Sequence, residues 1–98
     1  MNDWHNASTD ELCMALLSLQ TIDECYAFLE DICTIKETLD ISQRLSVAKM
    51  LKKGISYTKI TNETGASAAT ISRVRKCCEY GAGGYDIVIS RCKDENDE

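Results

Sequence analysis

The stretch Ser56-Tyr-Thr-Lys-Ile-Thr-Asn-Glu-Thr-Gly-Ala-Ser-Ala-Ala-Thr-Ile-Ser-Arg-Val-Arg-Lys76 predicts two short helices joined by a tight turn. Ser56 and Ser67 can each cap a helix, because a serine hydroxyl accepts a bond from a backbone N–H that has no partner within the helix. Gly65 lies between them and can end the first helix, since glycine adopts the left-handed conformation without a Cβ clash. The stretch therefore predicts a helix-turn-helix unit over residues 56–79.

The apolar and polar residues of this stretch fall on different faces. Ile60, Ile71 and Val74 are predicted to face a shared core, and Ala66 and Ala69 are small enough to let the two helix backbones approach closely. Compact side chains on the outer face of the second helix can approach base edges, and arginines can bind guanine or phosphate, so the pattern favours DNA binding. An ordinary helical hairpin with a solvated polar face is the alternative, because helix-turn-helix patterns are loose. The outward positions are Ala68, Thr70, Ser72, Arg73, Arg75 and Lys76.

The charge of the chain is segregated along the sequence. The net charge of −5 argues against nucleic acid at first sight, because attraction to phosphate supplies most non-specific affinity. Residues 1–41, however, hold nine acids against Lys36 alone (−8), and residues 42–80 hold eight Lys or Arg against two Glu (+6). Residues 81–98 hold five acids against two cations (−3). All the surplus positive charge therefore surrounds the predicted helix-turn-helix, as a one-sided DNA-binding surface requires.

The composition predicts one small, all-α domain. The 98 residues include no proline and only five glycines, which favours continuous helices over strands and turns. No apolar run reaches transmembrane length, and the N-terminus lacks the basic-then-apolar pattern of a signal peptide, so a soluble, cytoplasmic protein is expected. The domain is predicted over residues 8–92, between a flexible N-terminus (1–7) and a disordered acidic tail (93–98).

The residues that could bind a metal or carry catalysis are few or badly spaced. The six cysteines contain no C-x-x-C pair and His5 is the only histidine, so no metal site is predicted and free cytosolic thiols are expected. Paired carboxylates, a Cys–His arrangement and a phosphate-binding glycine loop are absent at catalytic spacing. The sequence therefore predicts neither an enzyme nor a cofactor.

Three capping boxes divide the residues before the quoted stretch into helices. Ser8–Glu11, Thr21–Glu24 and Thr34–Glu37 each have the spacing at which the first and fourth residues cap a helix reciprocally. The second predicted helix ends near Cys33, and the third stops at Gly54. Both carry more apolar residues than one partner helix could cover, which predicts an intertwined homodimer. A compact monomer with a large core is the alternative.

Five segments between residues 43 and 86 carry a resemblance to a known family. The chain resembles the Trp repressor superfamily and, within it, the YerC/YecD-type branch, over about residues 8–92. The resemblance implies an all-α, interlocked homodimer whose two helix-turn-helix units enter successive major grooves of a palindromic operator. The segments are Gln43-Arg-Leu45, Val47-Ala-Lys-Met-Leu51, Thr64-Gly-Ala-Ser67, Ala69-Thr-Ile-Ser-Arg-Val74 and Gly84-Tyr-Asp86.

The resemblance also implies a ligand pocket beside the second helix of the motif. In the Trp repressor, bound tryptophan holds that helix at the angle DNA requires, and the residues of its pocket match Thr34, Arg44 and Arg73 here. Val74 stands where that repressor has a glycine that gives the indole room, and a branched side chain there would cost about 1–3 kcal/mol by overpacking. Tryptophan is therefore not expected as a ligand, and the effector stays open. A phosphate or an intersubunit carboxylate is the preferred partner of the two arginines.

The preferred hypothesis is a dimeric, sequence-specific transcriptional regulator that binds double-stranded DNA and represses by occluding a promoter. Contacts to phosphate are assigned to Thr58, Lys59 and Thr61 on the first helix of the motif, with Arg75 and Lys76 as further backbone charge. The alternative is a protein-interaction module that keeps the fold without specific DNA binding, and the charge segregation argues against it. Base contacts are assigned to the start of the second helix: Ser67, Ala68, Ala69, Thr70 and Arg73, with Ser72 beside them.

Overall fold

The computed structural model describes residues 3–92, which form an all-α fold. No strand occurs among these residues, which confirms the predicted fold class. The predicted acidic tail (93–98) and the first two residues of the predicted flexible N-terminus lie outside the described part of the chain. The helices are α1 (Ala7–Ser18), α2 (Ile22–Ile32), α3 (Ile35–Lys52), α4 (Tyr57–Thr64), α5 (Ala68–Tyr80) and α6 (Gly84–Arg91).

The chain divides into two compact units. The first, Met1–Lys36, contains α1 and α2, and the second begins at Glu37 and contains most of α3 together with α4, α5 and α6. The boundary falls within the first turn of α3. Every buried side chain of the described residues belongs to the second unit, as does the predicted helix-turn-helix.

Side-chain caps fix where the helices of the first unit begin. Asn6 caps α1, because its Oδ1 accepts from the Thr9 N–H at 3.0 Å while its own N–H donates to Thr9 Oγ1 at 2.8 Å. The predicted capping box of Ser8 and Glu11 is therefore wrong: the asparagine two residues earlier supplies the cap and places Ser8 inside the first turn. At α2 the first half of the predicted box is confirmed, with the Thr21 hydroxyl accepting the Glu24 N–H at 3.1 Å. The Glu24 carboxylate, however, accepts the N–H of Gln20 at 2.9 Å and not that of Thr21.

Gly54 ends α3, as predicted, through a Schellman motif. Its backbone is left-handed, with φ of +75°. The Gly54 N–H donates to the Leu51 carbonyl at 3.0 Å, and the Ile55 N–H donates to the Met50 carbonyl at 3.1 Å. These two bonds satisfy carbonyls that the helix itself leaves without partners, so the chain turns sharply toward α4.

The serine caps and the glycine turn predicted for the motif are confirmed. Ser56 Oγ accepts from the Lys59 N–H at 3.3 Å at the start of α4, and Ser67 Oγ accepts from the Thr70 N–H at 3.1 Å at the start of α5. Gly65 ends α4 with φ of +77° and donates its N–H into the last turn of that helix at 2.8 Å. Local hydrogen bonds therefore fix both helix ends at the turn.

The core of the second unit joins α3, α4, the turn and α5. The predicted core positions of Ile60, Ile71 and Val74 are confirmed, and each buried isoleucine contributes about 1.5–3 kcal/mol. Ala69, in contrast, is exposed, so only Ala66 permits the close approach that was predicted for both alanines. The reason is that Ala69 lies on the side of α5 opposite Ile71 and Val74. The core residues are at most 2% exposed: Val47, Ala48, Ile60, Ala66, Ile71 and Val74.

Many apolar side chains of α1, α2 and the start of α3 are exposed. No residue of α1 or α2 is buried. Leu17 is 79% exposed and Ile22 is 75% exposed, and at the start of α3 Ile35 reaches 81%. Ile22 and Ile35 are among the side chains for which a cover by more than one partner helix was predicted. Among the described residues, no helix is both long and apolar enough to cross a membrane.

The left-handed turn gives a first prediction. Gly65→Ala should lower the free energy of unfolding by about 1–2 kcal/mol, because a side chain disfavours a left-handed backbone. A steric clash is not the cause, since the atom nearest to an added Cβ is Gln43 Nε2 at 4.0 Å. Gly84→Ala is the matched control. Gly84 is the first residue of α6, and an added Cβ there would meet no atom within 4 Å, so the substitution should raise stability by up to about 1 kcal/mol. Urea unfolding measures both, and equal effects would contradict the conformational explanation.

Candidate nucleic-acid interface

The turn between α4 and α5 is held by side chains as well as by its own backbone. The Thr64 hydroxyl donates to the Ile60 carbonyl at 2.7 Å and accepts from the Ala66 N–H at 3.1 Å. From α3, Gln43 Nε2 donates to the Thr64 carbonyl at 3.0 Å. Because these bonds join α3, the end of α4 and the turn, the position at which α5 begins is set by three segments of the chain.

The side chains assigned to base contacts cluster at the start of α5. Ser67, Ala68 and Ala69 are exposed and Thr70 is half-buried. Ser67 Oγ donates to Thr70 Oγ1 at 3.1 Å while it accepts the Thr70 N–H, so the cap also orients the threonine side chain. Further along the helix, Ser72 and Arg73 are exposed. The structure thus brings all six predicted residues onto the first half of one helix.

The side chains assigned to phosphate contacts lie on both helices of the motif. Thr58, Lys59 and Thr61 are exposed on α4, and Lys76 is exposed on α5. Arg75 is also exposed, but it is engaged within the chain: its Nε donates to Glu79 Oε1 at 2.9 Å, one helical turn away. The positive charge that Arg75 was predicted to offer is therefore partly neutralised where it lies.

A groove of about 560 Å³ lies beside α5 in the second unit. Arg44, Arg73 and Val74, three of the four residues of the predicted ligand pocket, line it together with mostly apolar neighbours. Thr34, the fourth, belongs to the first unit and precedes α3. Burial in this region raises the pKa of the Tyr85 hydroxyl, and the charge of Arg44 opposes that shift. Val74 is only 2% exposed, so it contributes to the core and to the wall of the groove at once.

Two ion pairs that the sequence did not predict lie near another side of α5. The Lys52 ammonium at the end of α3 forms an ion pair with Asp86 in the first turn of α6, and this bond is the main reason that the pKa of Lys52 is raised. The Arg75–Glu79 pair could have been found from its i,i+4 spacing. The Lys52–Asp86 pair could not, because only the packing of α6 brings these distant positions together.

A family model described as Trp repressor protein matches residues 7–93. The chain therefore belongs to the Trp repressor family, a family of regulators.

Similar proteins and solved structures show which branch of the family the chain resembles. The chain is 48% identical to the uncharacterized protein YerC of Bacillus subtilis (strain 168) over 89 residues, which cover 91% of this chain and 86% of YerC. A TrpR-like protein from Eubacterium eligens ATCC 27750 matches with a TM-score of 0.89 and 48% identity, covering 93% of this chain and 94% of that one. A proposed Trp repressor from Staphylococcus aureus matches with a TM-score of 0.85 and 46% identity, covering 88% and 86%. The chain is thus of the YerC type within the family, as its sequence predicted.

The wall of the groove gives a second prediction, which concerns tryptophan. We expect isothermal titration calorimetry to detect no tryptophan binding, because Val74 fills space from within the core and cannot easily move aside. The volume of the groove alone does not decide this, since small-molecule pockets span about 300–1,000 Å³. A dissociation constant of roughly tens of micromolar or tighter would contradict the expectation.

Variants of Val74 test whether sterics are the obstacle. Val74→Gly should gain tryptophan affinity if Arg44 and Arg73 are otherwise able to hold the ligand. It also removes a buried side chain and introduces a helical glycine, at a cost of about 2 kcal/mol or more, so circular dichroism must first show that it is folded. Val74→Ala is the milder companion, and Val74→Ile, which keeps the branched side chain, is the control that should gain nothing.

Proposed function

We propose that this protein is a sequence-specific DNA-binding transcriptional regulator that acts as a homodimer on palindromic operators and represses by occluding promoters. The observation that carries the proposal is the start of α5. There, short exposed side chains follow a capped helix terminus within the one block of the chain that has surplus positive charge. Membership of the Trp repressor family supports the same function.

The proposed interface separates base contacts from phosphate contacts. Ser67, Ala68, Ala69 and Thr70 would enter the major groove, since short side chains let the helix approach base edges closely. Ser72 and Arg73 follow on the same helix, where a guanidinium can bind guanine through two parallel hydrogen bonds.

Phosphate binding would flank this region. Thr58, Lys59 and Thr61 lie on α4, which crosses the DNA backbone in helix-turn-helix complexes, and Lys76 lies further along α5. These contacts would supply affinity that depends on salt and not on sequence. The acidic residues elsewhere in the chain would oppose any other orientation on DNA, because they would face phosphate.

The exposed apolar residues of α1 and α2 support the proposed homodimer. Helices α1 and α2, which contain no buried side chain, cannot account for their own folding, because burial of apolar surface is the main favourable term. A second copy would supply the missing cover, and a two-fold dimer would present α5 twice, as a palindromic operator requires. A protein-interaction module of the same fold would share the dimer but would not bind DNA with a strong salt dependence.

The dimer gives a third prediction. Leu29→Asp and Leu45→Asp should each abolish dimer formation and folding, because a carboxylate would be placed without a partner where two chains pack. Ser46→Asp is the matched control: it adds the same charge beside Leu45 at an exposed position and should leave the dimer intact. Analytical ultracentrifugation measures the outcome. A folded wild-type monomer of 10.9 kDa would refute the dimer.

DNA binding gives a fourth prediction. Arg73→Ala and Thr70→Ala should each reduce discrimination between operator and random DNA by about 1–3 kcal/mol, since each removes a contact to a base. Lys59→Ala and Lys76→Ala should weaken binding to both DNAs equally and reduce the slope of log affinity against log salt by about 2, one contact from each protomer. Fluorescence anisotropy at several salt concentrations measures both quantities. Preferred operators should have half-sites about one helical turn apart.

Arg73 is the residue for which these measurements discriminate most sharply, because it also lines the groove. Loss of specificity at an unchanged salt slope means that it contacts a base. Equal loss on both DNAs with a shallower slope means that it binds phosphate. If Arg73→Ala changes neither quantity, the residue does not belong to the DNA surface and its assignment here is wrong.

A further inference from the structure

The turn of the motif receives a hydrogen bond from α3 that neither of its own helices supplies. Thr64 is the last residue of α4, so the helix itself leaves the Thr64 carbonyl without an N–H partner. Gln43 supplies the partner, because its Nε2 donates to this carbonyl at 3.0 Å from 21 positions earlier in the chain. Both residues are half-buried, and a hydrogen bond that is shielded from water is electrostatically stronger than an exposed one.

The donor is held in place by the core. Gln43 lies one helical turn before Val47, on the same face of α3. Val47 is fully buried together with Ile60 of α4 and Ile71 of α5, so this face of α3 cannot turn away without exposing the core. The Gln43 amide therefore approaches the turn from a fixed helix.

The acceptor is tied directly to the start of α5. Thr64 Oγ1 donates to the Ile60 carbonyl at 2.7 Å and accepts from the Ala66 N–H at 3.1 Å. Ala66 is buried, and the next residue, Ser67, caps α5. Only Gly65 and Ala66 separate Thr64 from Ser67, so a shift of the Thr64 carbonyl would move the beginning of α5.

The core fixes a different property of α5. Ile71 and Val74 decide which face of the helix points outward. The exposed residues assigned to base contacts at the start of the helix, Ser67 to Ala69, precede both core positions. Their distance from α3 and α4 therefore depends on the turn and on the bond that Gln43 gives it.

We propose that Gln43 is a positioning residue for DNA binding: its bond to the Thr64 carbonyl holds the turn against α3, so that α5 already stands in its DNA-binding position in the free protein. Regulation follows from this. A bound effector raises affinity only where the binding-competent state is not already dominant, so operator binding should need no small molecule in the groove beside α5. The effect on DNA rests on the proposed function, whereas the bond itself belongs to the folded protein.

Two substitutions each remove one polar group and keep the shape of the side chain. Gln43→Met removes the donor, and Thr64→Val removes the hydroxyl. Each should weaken binding to an operator selected in vitro from random duplexes roughly three- to tenfold. Binding to random DNA and its salt dependence should stay as in the wild type, because neither substitution removes a charge.

Conservative variants serve as controls for these two. Thr64→Ser keeps the hydroxyl and should bind the operator like the wild type. Ser42→Ala removes a polar side chain one residue away from Gln43, at an exposed position of α3, and should have no effect. Binding is measured on variants shown by circular dichroism to be folded, so that lost stability cannot imitate lost positioning.

Amide hydrogen exchange tests the turn without DNA. In Gln43→Met, the N–H groups of Gly65 and Ala66 should exchange roughly three- to tenfold faster, because the turn opens more easily without the bond. The Gly54 N–H, at the end of α3, should exchange as in the wild type. Equal acceleration at all three groups would mean that only global stability has fallen, and no acceleration at the turn would mean that the bond does not hold it. Either result overturns the proposal.

The binding data can overturn it independently. If Gln43→Met weakens operator and random DNA equally, the amide contacts DNA and does not position α5. If the turn exchanges faster and operator affinity is unchanged, the position of the turn does not control DNA binding.

The regulatory consequence has its own test. Protein that has been unfolded in urea, dialysed and refolded should select an operator and bind it as tightly as protein purified without unfolding. If it binds only after the low-molecular-mass fraction of a cell extract is restored, α5 needs an effector and the proposal is wrong. If neither preparation binds DNA under any of these conditions, the proposed function fails, and hydrogen exchange still decides whether Gln43 holds the turn.

Discussion

The packing of α5 against a small core decides which of its side chains could face DNA. Ile71 and Val74 commit one face of the helix to a cluster with Val47 of α3 and Ile60 of α4. Because a helix cannot rotate without exposing such a face, the opposite side, which carries Ala69 and Ser72, must point outward. Within residues 3–92 the core has six buried side chains, so each contributes a large share of the free energy that holds the helix in place.

Local hydrogen bonds make this packing specific. Caps at Ser56 and Ser67 and the left-handed Gly65 fix the length of α4 and the start of α5. Gln43 then ties the turn to α3. A shift of α5 by one residue would break these bonds and bury the wrong face, and so the register of the motif depends on caps and core together.

Among the described residues of the second unit, some cations form ion pairs and others do not. Surplus positive charge gathers around the motif, yet Lys52 and Arg75 are paired inside the unit. Counting cations along the sequence therefore overstates the number that can bind phosphate.

The exposed apolar residues of α1 and α2 require a further packing surface, since a short pair of helices without a buried side chain is not stable by itself.

The sequence by itself determined the features that depend on neighbouring residues. The helical class, the caps at Ser56 and Ser67 and the glycine stops follow from side chains a few positions apart, and the family resemblance was visible in short segments. The prediction of a helix start from sequence failed where an earlier residue could cap the helix equally well, as Asn6 does for α1. Tertiary structure alone decided which positions face outward and which distant charges pair: Ala69 is exposed, and Lys52 meets Asp86. Those outcomes depend on how helices approach one another in space, and no periodicity along the chain encodes the angle and distance of that approach.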